Sequence, residues 1–277
     1  MAAADITQEG WINRLGAWAQ GHLIGVGDWV IFSLQTFGWL RRRPARSTFV
    51  NACYEVGVQS VGVVMITGMF IGMVLAVQSV GEFRTLGLES RLGTVINVSV
   101  VKELGPVLAA TMLAGRIGSA MAAQLATMRI SEQIDALSCL GANPIHYLAM
   151  PRLLACVLMI PLLTAVADAM GVAGGALITV HFYHVDAHQY WTHSRANVGT
   201  WEIVVGLFKS VFFGASIALI SCHRGFRSRD GSEGVGRAAT EAFVISFIAI
   251  LAVDFVLAMA LNDIYGWLWP NAGSKMM

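Results

Sequence analysis

The chain has 277 residues, of which 56% are hydrophobic and only 13% are charged, and its formal net charge is +1. Soluble domains average about 45–50% apolar residues with glycine included, so this composition indicates a membrane protein and excludes a soluble enzyme and a disordered chain. The balanced charge excludes a nucleic-acid-binding protein. The four cysteines are far apart and form no C-x-x-C pair, which excludes a disulfide framework and a zinc knuckle.

Residues 1–50 are predicted to form a cytoplasmic tail and an amphipathic interfacial helix. The first ten residues contain two acidic and no basic side chains, whereas a signal peptide begins with positive charge. An aromatic stripe then recurs close to one face of a 3.6-residue helix: Trp11, Leu15, Trp18, His22 and Trp29. The basic cluster Arg41, Arg42 and Arg43 follows it, placed to meet anionic head groups. The alternatives are a sixth, poor span and a helix packed against the others.

Five apolar stretches within residues 51–262 are long enough to cross a bilayer, which takes about 20 residues. The predicted spans are 56–80, 92–128, 153–180, 203–222 and 242–262, and residues 263–277 are left as an external C-terminal tail. Lys and Arg favour the cytoplasmic side. With the N-terminus inside, twelve basic residues fall on that side and four on the other. We therefore predict a cytoplasmic N-terminus and an external C-terminus.

Four of the predicted spans contain ionisable residues. Lys102 and Glu103 lie about ten residues into the second span, just before Pro106, which removes a backbone donor and favours a kink. A charge inside the bilayer costs about 2.5–3.5 kcal/mol even on a lenient scale, so it must be paired or hydrated. The available partners in the other spans are Asp168, Lys209 and Asp254. These groups form either ion pairs that join helices or the polar lining or gate of a substrate cavity.

Small residues recur at every fourth position in three of the spans. The first span contains Gly68 and Gly72, and the third contains Gly171 and Gly175. The second contains the stripe Ala110, Ala114, Gly118, Ala122 and Ala126. Such faces allow helices to approach closely in lipid, so we interpret them first as packing seams and second as seams that move.

The sequence contains no motif that points to catalysis in this chain. It has no G-x-x-x-x-G-K-[ST] loop, so ATP and Mg²⁺ are expected to be used by another subunit. The external segment 181–195 places His181, His184, His188 and His193 near Asp186. A metal site is conceivable because His184 and His188 would share a helical face. An aromatic belt at the membrane surface is the simpler interpretation, and no metal is predicted.

The connection between the second and third spans begins like a short amphipathic helix at about 129–140. Glu132 and Gln133 are on its polar side, and Ile134 and Leu137 are on its apolar side. A helix of this kind between spans suits docking to a soluble partner. The alternative is a solvated connector.

At this connection the sequence resembles the MlaE (YrbE) family of ABC-transporter permeases, which serve Mce-protein lipid transport systems. The matching motifs are ELGP at 103–106, AGR-x-GSA at 114–120, SEQIDAL at 131–137 and PR at 151–152. Further matches are GMFIGMVLA at 68–76, GRAAT at 236–240 and VDFVLA at 253–258. The resemblance covers about residues 50–261, nearly the whole membrane part.

The resemblance implies an all-α fold with five transmembrane helices after an N-terminal interfacial helix, in the bacterial inner membrane. It implies a homodimer, a cytoplasmic ABC ATPase and an external ring of MlaD-like Mce-domain proteins. Glu132 and Gln133 would belong to the ATPase-coupling helix, and Arg237 would lie at the cytoplasmic entry of the fifth span. Lys102, Glu103 and Asp254 fall where the family keeps polar groups inside the membrane. Lys102 departs from relatives that have Arg, which changes how phosphate would be contacted.

These observations together predict a permease that moves phospholipid between the inner membrane and a periplasmic Mce-domain assembly, powered by a separate ATPase. Uptake of a sterol or another hydrophobic compound is the alternative within the same class. A membrane enzyme that modifies lipids at the histidine-rich segment, or a passive scaffold for an envelope complex, would belong to a different class.

Overall fold

The structure is a computed structural model that describes residues 11–39, 45–88, 91–229 and 231–268. Throughout these ranges the chain is helical, with short 3₁₀ and π-helical turns, and contains no strand. The contacts divide the chain into two units at Arg43 and Pro44. The all-α fold predicted from the sequence is therefore confirmed.

The described part of the N-terminal unit, residues 11–39, is the helix α1 (Trp11–Trp39), which continues through Gly16, Gly25 and Gly27. Its position on the membrane surface stays a prediction. The side chains of Trp11 and Trp18 lie outside the described part, as do Arg41, Arg42 and Arg43, while the Trp29 side chain is half-buried.

Five helical segments of the second unit are long and apolar enough to cross a membrane, which confirms the predicted number of spans. In chain order they are Arg46–Thr85, Leu92–Ile130, Ile145–Phe182, Thr200–Phe226 and Gly231–Trp267. Each is longer than predicted, because the helices continue into the polar residues beyond each apolar stretch. The 39 residues of the second span extend about 58 Å, whereas the hydrocarbon core is about 30 Å thick.

Short irregular turns divide three of the spans into consecutive helices. The first contains α2 (Arg46–Val56), a 3₁₀ turn (Val58–Ser60) and α3 (Val61–Thr85). The second contains α4 (Leu92–Ser99), a π turn (Val100–Leu104), α5 (Gly105–Leu113), a π turn (Ala114–Gly118) and α6 (Ser119–Ile130). The third contains π turns at Ile145–Ala149 and Leu177–Phe182 on either side of α8 (Met150–Ala176).

The remaining helices are the fourth and fifth spans and two short helices that connect spans at opposite ends of the bundle. The fourth span is α10 (Thr200–Phe226), and the fifth is α11 (Gly231–Leu268), so part of the predicted C-terminal tail is helical. The helix α7 (Gln133–Cys139) joins the second and third spans, and α9 (Ala187–Asn197) joins the third and fourth. We call the corresponding ends of the bundle the α7 end and the α9 end.

The first and third spans pack through their glycines. A Cβ atom added to Gly72 would lie 1.8 Å from the carbonyl oxygen of Gly171, and one added to Gly68 would lie 2.5 Å from that of Ala167. Only a residue without a side chain allows backbones to approach this closely, and van der Waals contact of this kind drives helix association in lipid. The predicted packing role of these glycines is confirmed, and the structure shows that the two spans meet each other.

The second span lies at the centre of the bundle and contacts each of the other four spans. Its small-residue stripe is buried throughout, and Gly118 faces Ser221 and Ile217 on α10. The polar side chains of its two π turns, Lys102, Glu103 and Arg116, are half-buried within this bundle.

Candidate functional site: an ion-pair cavity between three spans

The first π turn of the second span positions Lys102 and Glu103. Pro106 has no N–H, so it cannot bond the carbonyl of Lys102 as the next turn of an α-helix would. The chain widens there instead, and the Gly105 N–H bonds the carbonyl of Val100 five residues earlier. The kink expected from Pro106 thus takes the form of a π turn, a feature that often marks functional positions in helices.

A single buried ammonium joins three spans at this turn. The Nζ atom of Lys209 on α10 lies 2.5 Å from Oε2 of Glu103 and 3.1 Å from Oδ1 of Asp254 on α11. The Lys209 side chain is 0% exposed, whereas Glu103 is 41% and Asp254 21% exposed. A desolvated cation is costly unless it is paired, so the two carboxylates make it possible to bury Lys209. The three residues therefore hold the second, fourth and fifth spans together.

Lys102 completes the charge balance of the site. It is half-buried, and within the described ranges no carboxylate lies within ion-pair distance of it. Two lysines and two carboxylates make the cluster formally neutral. Among the charged groups of this cluster, Lys102 is the one without an ion-pair partner in the described residues.

A cavity of about 330 Å³ opens beside this cluster. Its polar wall consists of Lys102, Glu103 and Lys209, and its apolar wall includes Phe255 and Met259 on α11. Phe255 is 66% and Met259 57% exposed, so the cavity is open along the surface of α11. A cavity with one charged wall and one apolar wall suits an amphiphile.

Two aromatic residues line the cavity towards the α9 end. Trp201 at the start of α10 and Tyr265 near the end of α11 both border it, and their ring centroids are 5.7 Å apart. Trp and Tyr are the residues that favour the level of the lipid head groups. The charged wall therefore lies deeper in the bundle than this aromatic pair.

Asp168 does not join the ion pairs, contrary to the sequence-based expectation. It lies on α8, 8% exposed, and within the described part of the chain it has no cation at ion-pair distance. Its Oδ1 atom has no hydrogen-bond partner and points at Gly105, where an added Cβ atom would lie 1.8 Å away. Although α8 packs on α10, Asp168 faces Gly105 of the second span and not Lys209.

Arg237 also lies apart from the cavity, although the sequence grouped it with Lys102, Glu103 and Asp254. It is 17 residues before Asp254 on α11, about 25 Å along the helix, and therefore near the α7 end. There its Nε donates to Oε1 of Glu241 at 2.9 Å, and Nη1 of Arg224 donates to Oε2 at 3.1 Å. This network joins α10 to α11 at their connection.

The predicted coupling helix at 129–140 is shorter than expected. α6 continues to Ile130, Glu132 adopts a left-handed conformation with φ of 58°, and α7 begins only at Gln133. A left-handed residue cannot continue a helix, so the turn at Glu132 separates α6 from α7.

Of the four residues predicted for coupling, two face the bundle and two are exposed. Ile134 is buried and Leu137 half-buried, so they attach the helix to the bundle and do not face outwards. Glu132 and Gln133 are exposed, as is Leu140 with 82% of its surface. An ion pair between Arg129 and Asp135, 2.5 Å apart, connects α6 to α7. Of the four residues, Glu132 and Gln133 are therefore the two that are accessible from outside the bundle.

The histidine-rich segment forms the helix α9 against α4. His184 lies before this helix with a positive φ of 53°, and the Asp186 carboxylate accepts the His188 N–H at 2.9 Å as the helix cap. His184 and His188 therefore do not share a helical face. Across the ranges that the structure describes, no three His, Cys, Asp or Glu side chains come together as metal ligands.

Tyr190 anchors α9 to the second span. Its hydroxyl donates to Oδ1 of Asn97 at 3.2 Å, and Asn97 Nδ2 donates to Ser194 at 2.7 Å. Burial raises the pKa of the Tyr190 phenol to about 12, although the Asn97 hydrogen bond acts in the opposite direction. Tyr190 is thus a neutral donor within a structural contact.

Sequence reasoning missed the apolar wall of the cavity. Phe255, Met259 and Asn262 follow one another at helical spacing and line it from α11. Their spacing was visible in the sequence, but the face of α11 that meets the second span was not.

Sequence reasoning also missed a role for Arg116 and Arg152, which were counted only for the orientation of the spans. The position of Arg116 well inside the second span was the sequence signal that could have pointed to it.

Five membrane-length helices, a buried ion-pair network and an amphipathic cavity are typical of a transport protein. The profile of the family described as Permease MlaE matches residues 49–260. A Rickettsia felis protein named "Probable ABC transporter permease protein" is 39% identical over 84% of this chain and 90% of its own length. A Synechocystis protein of the same description is 40% identical over 79% of this chain and 83% of its own length.

A third relative comes from a plant. The Arabidopsis thaliana protein TRIGALACTOSYLDIACYLGLYCEROL 1, chloroplastic, is 41% identical over 74% of this chain and 58% of its own length. The chain belongs to the MlaE permease family. It is the membrane-spanning permease subunit of an ABC transporter, and ATP is hydrolysed by a partner subunit.

Proposed function

We propose that this permease moves phospholipid between the bacterial inner membrane and a periplasmic Mce-domain assembly. The observation that carries the proposal is the cavity with Lys102 on its charged wall and Phe255 and Met259 on its open apolar wall. A phospholipid has the matching chemistry, since its phosphate bears a negative charge and its acyl chains are apolar. The name of the Arabidopsis relative contains that of a galactosylated diacylglycerol, which supports a lipid cargo with two acyl chains and does not bear on the phosphate.

The Lys102 ammonium would bind the phosphate, and the acyl chains would extend over the exposed side chains of α11. Lys209 is unsuited to this role because Glu103 and Asp254 already neutralise it. The Lys209 cluster would instead act as a gate. Separating the second, fourth and fifth spans requires breaking its ion pairs, so a movement transmitted from the ATPase could open the cavity.

We infer that two copies of the chain face each other across α11. Only 11% of the most apolar window of the fifth span is buried within one copy, against 56% for the fourth span. A second copy placed over Phe255 and Met259 would close the open side of the cavity. The homodimer would then enclose acyl chains between two equivalent apolar faces.

The proposed orientation places the α7 end in the cytoplasm and the α9 end towards the periplasm. The excess of basic residues on one side supports it, because Arg129, Arg224, Arg229 and Arg237 all lie at the α7 end. The ATPase would dock on the exposed Glu132 and Gln133, and the Mce-domain ring would face α9.

Lipid transfer from vesicles by the reconstituted complex with its ATPase and Mce-domain partners tests the cargo and the role of Lys102. We expect Lys102→Gln to reduce ATP-dependent transfer about tenfold, the value of one charge-assisted contact. Lys102→Arg is the matched control and should retain transfer because it keeps the charge. Mass spectrometry of co-purified lipid should find phospholipid. A sterol in its place, or equal transfer by the Gln variant, would contradict the proposal.

The coupling role of Glu132 has its own test in the same assay. We expect Glu132→Lys to lower transfer while basal ATP hydrolysis by the partner continues, because the substitution reverses a charge on the docking surface. Glu132→Asn is the matched backbone control, since Asn tolerates a positive φ. Full transfer by the Lys variant would exclude a docking contact at this residue.

A further inference from the structure

A second polar cavity lies on the opposite side of the second span. It has a volume of about 380 Å³ and is formed by the first, second and third spans towards the α7 end. We call it the arginine cavity because Arg116 and Arg152 line it, together with Glu55, Gln59 and Gln124. It shares no residue with the ion-pair cavity, so the permease site already described does not account for it.

Arg116 reaches the arginine cavity from the second π turn, Ala114–Gly118. Its Nη1 donates to Ser60 Oγ at 2.5 Å, and Ser60, which is fully buried, donates in turn to the carbonyl of Val56. Its hydrogen-bond partner is therefore neutral. A guanidinium carries five N–H donors, so this single contact leaves most of its donors and its whole charge available.

Arg152 is held in a similar way. Its Nη1 donates to the carbonyl of Leu148 at 3.1 Å, and its Nη2 donates to Oε1 of Gln124 at 3.3 Å. Glu55 supplies the one carboxylate among the lining residues, and it forms no ion pair with either arginine. Two guanidiniums and one carboxylate give the cavity a formal charge of +1.

The arginine cavity crosses the estimated boundary of the hydrocarbon core. Gln124 and Arg116 lie six and fourteen residues before the end of the second span at Ile130, about 9 and 21 Å along the helix. If the 30 Å hydrocarbon core is centred on this span, its boundary lies about 14 Å from the end, between these two residues. The boundary therefore crosses the cavity, with the Arg116 backbone about 7 Å inside it, and a long arginine side chain can extend from there towards the head groups.

We propose that the arginine cavity binds a phosphate group, held between the guanidiniums of Arg116 and Arg152. Planar guanidinium forks match phosphate oxygens bidentately, and such hydrogen bonds are about twice as strong as neutral ones. The phosphate comes from a lipid head group or from a free phosphate ion. The inference concerns binding alone and does not depend on the cargo or direction of transport.

Photolabelling of the full chain in vesicles tests this proposal. The probe is a phosphatidylglycerol with a photoreactive head group, and mass spectrometry maps the labelled peptides. We expect label around residues 52–59 and 116–124, reduced about tenfold in the Arg116→Gln, Arg152→Gln double variant. Arg129→Gln is the matched control, since Arg129 lies at the same end but outside the cavity, and it should leave this label unchanged.

A second variant separates loss of binding from loss of folding. Glu55→Gln removes the only negative charge of the lining and should increase the label about threefold, a gain that misfolding cannot produce. Excess sodium phosphate distinguishes the two sources, because it abolishes the label if the site takes free phosphate and leaves it if the site takes a head group. Equal label in the double variant, or with a photoreactive diacylglycerol that lacks phosphate, overturns the proposal.

Discussion

The two cavities beside the second span both lie at a π turn, but one has a formal charge of zero and the other of +1. Each lies at a π turn, which directs a basic side chain into the bundle. At the first, the charges of Lys102, Glu103, Lys209 and Asp254 add to zero. At the second, Arg116 and Arg152 contact only neutral oxygens. Lys209 thus joins helices through ion pairs, whereas the two arginines contact no carboxylate in the described part of the chain.

Burial explains why the two sites differ. Lys209 is fully buried and is paired with both Glu103 and Asp254, as a desolvated cation requires. Arg116 and Arg152 are only half-buried, so water or head groups can solvate them. The ion-pair cavity should therefore depend on its charges for stability, and the arginine cavity should depend on them for binding.

The largest expected effect is that of Lys209→Met. The substitution leaves two carboxylates facing each other without a cation, which should lower the free energy of unfolding by about 3–5 kcal/mol. The measurement is denaturant unfolding of the full chain in detergent micelles. The double variant Lys209→Met, Glu103→Gln removes one of the two negative charges and should recover much of the loss. Equal stability of both variants would show that the ion pairs do not hold the spans together.

A smaller loss is expected for Arg116→Gln. It removes the guanidinium that bonds the buried Ser60 hydroxyl, so the expected cost is about 1–2 kcal/mol in the same unfolding measurement. Ser60→Ala provides the paired variant, and the double variant should be little worse than either single one. A cost as large as that of Lys209→Met would remove the contrast between the two cavities.

The smallest effects are expected at carboxylates without a cation. Asp168→Asn should change the free energy of unfolding by less than about 1 kcal/mol, because no ion pair is lost. Asp254→Asn, which weakens the contact with Lys209, should cost more. The two substitutions are isosteric, so comparing them isolates the ion pair. A larger loss at Asp168 than at Asp254 would reverse the assignment of roles.

Much of the fold was predictable because bilayer thickness imposes a simple length rule. The apolar stretches alone determined the five spans, and the spacing of Gly68 and Gly72 indicated a packing seam but not the span that it meets. The extent of the helices was not predictable in the same way, because their polar ends lie outside the hydrocarbon core and have no hydropathy signal. The break at Glu132 was missed for a related reason, since it depends on one left-handed residue.

The candidate site was predicted in its members but not in its pairings. Lys102, Glu103, Lys209 and Asp254 were recognised as costly charges inside spans, and the structure brings them to one place. Asp168 and Arg237 have the same chemical character but lie elsewhere. Nothing in their spacing revealed this, because partners on different spans are related only through helix packing.

The sequence by itself determined that this protein lies in a membrane, how many spans it has and which charges must be paired or hydrated. Those properties follow from transfer energies, which belong to each residue and are read in order along the chain. Only the tertiary structure decided that Lys209 pairs with Glu103 and Asp254, that Asp168 faces Gly105, and that Arg116 and Arg152 share a cavity. Each of these contacts joins residues on different spans, so it depends on which helix faces meet.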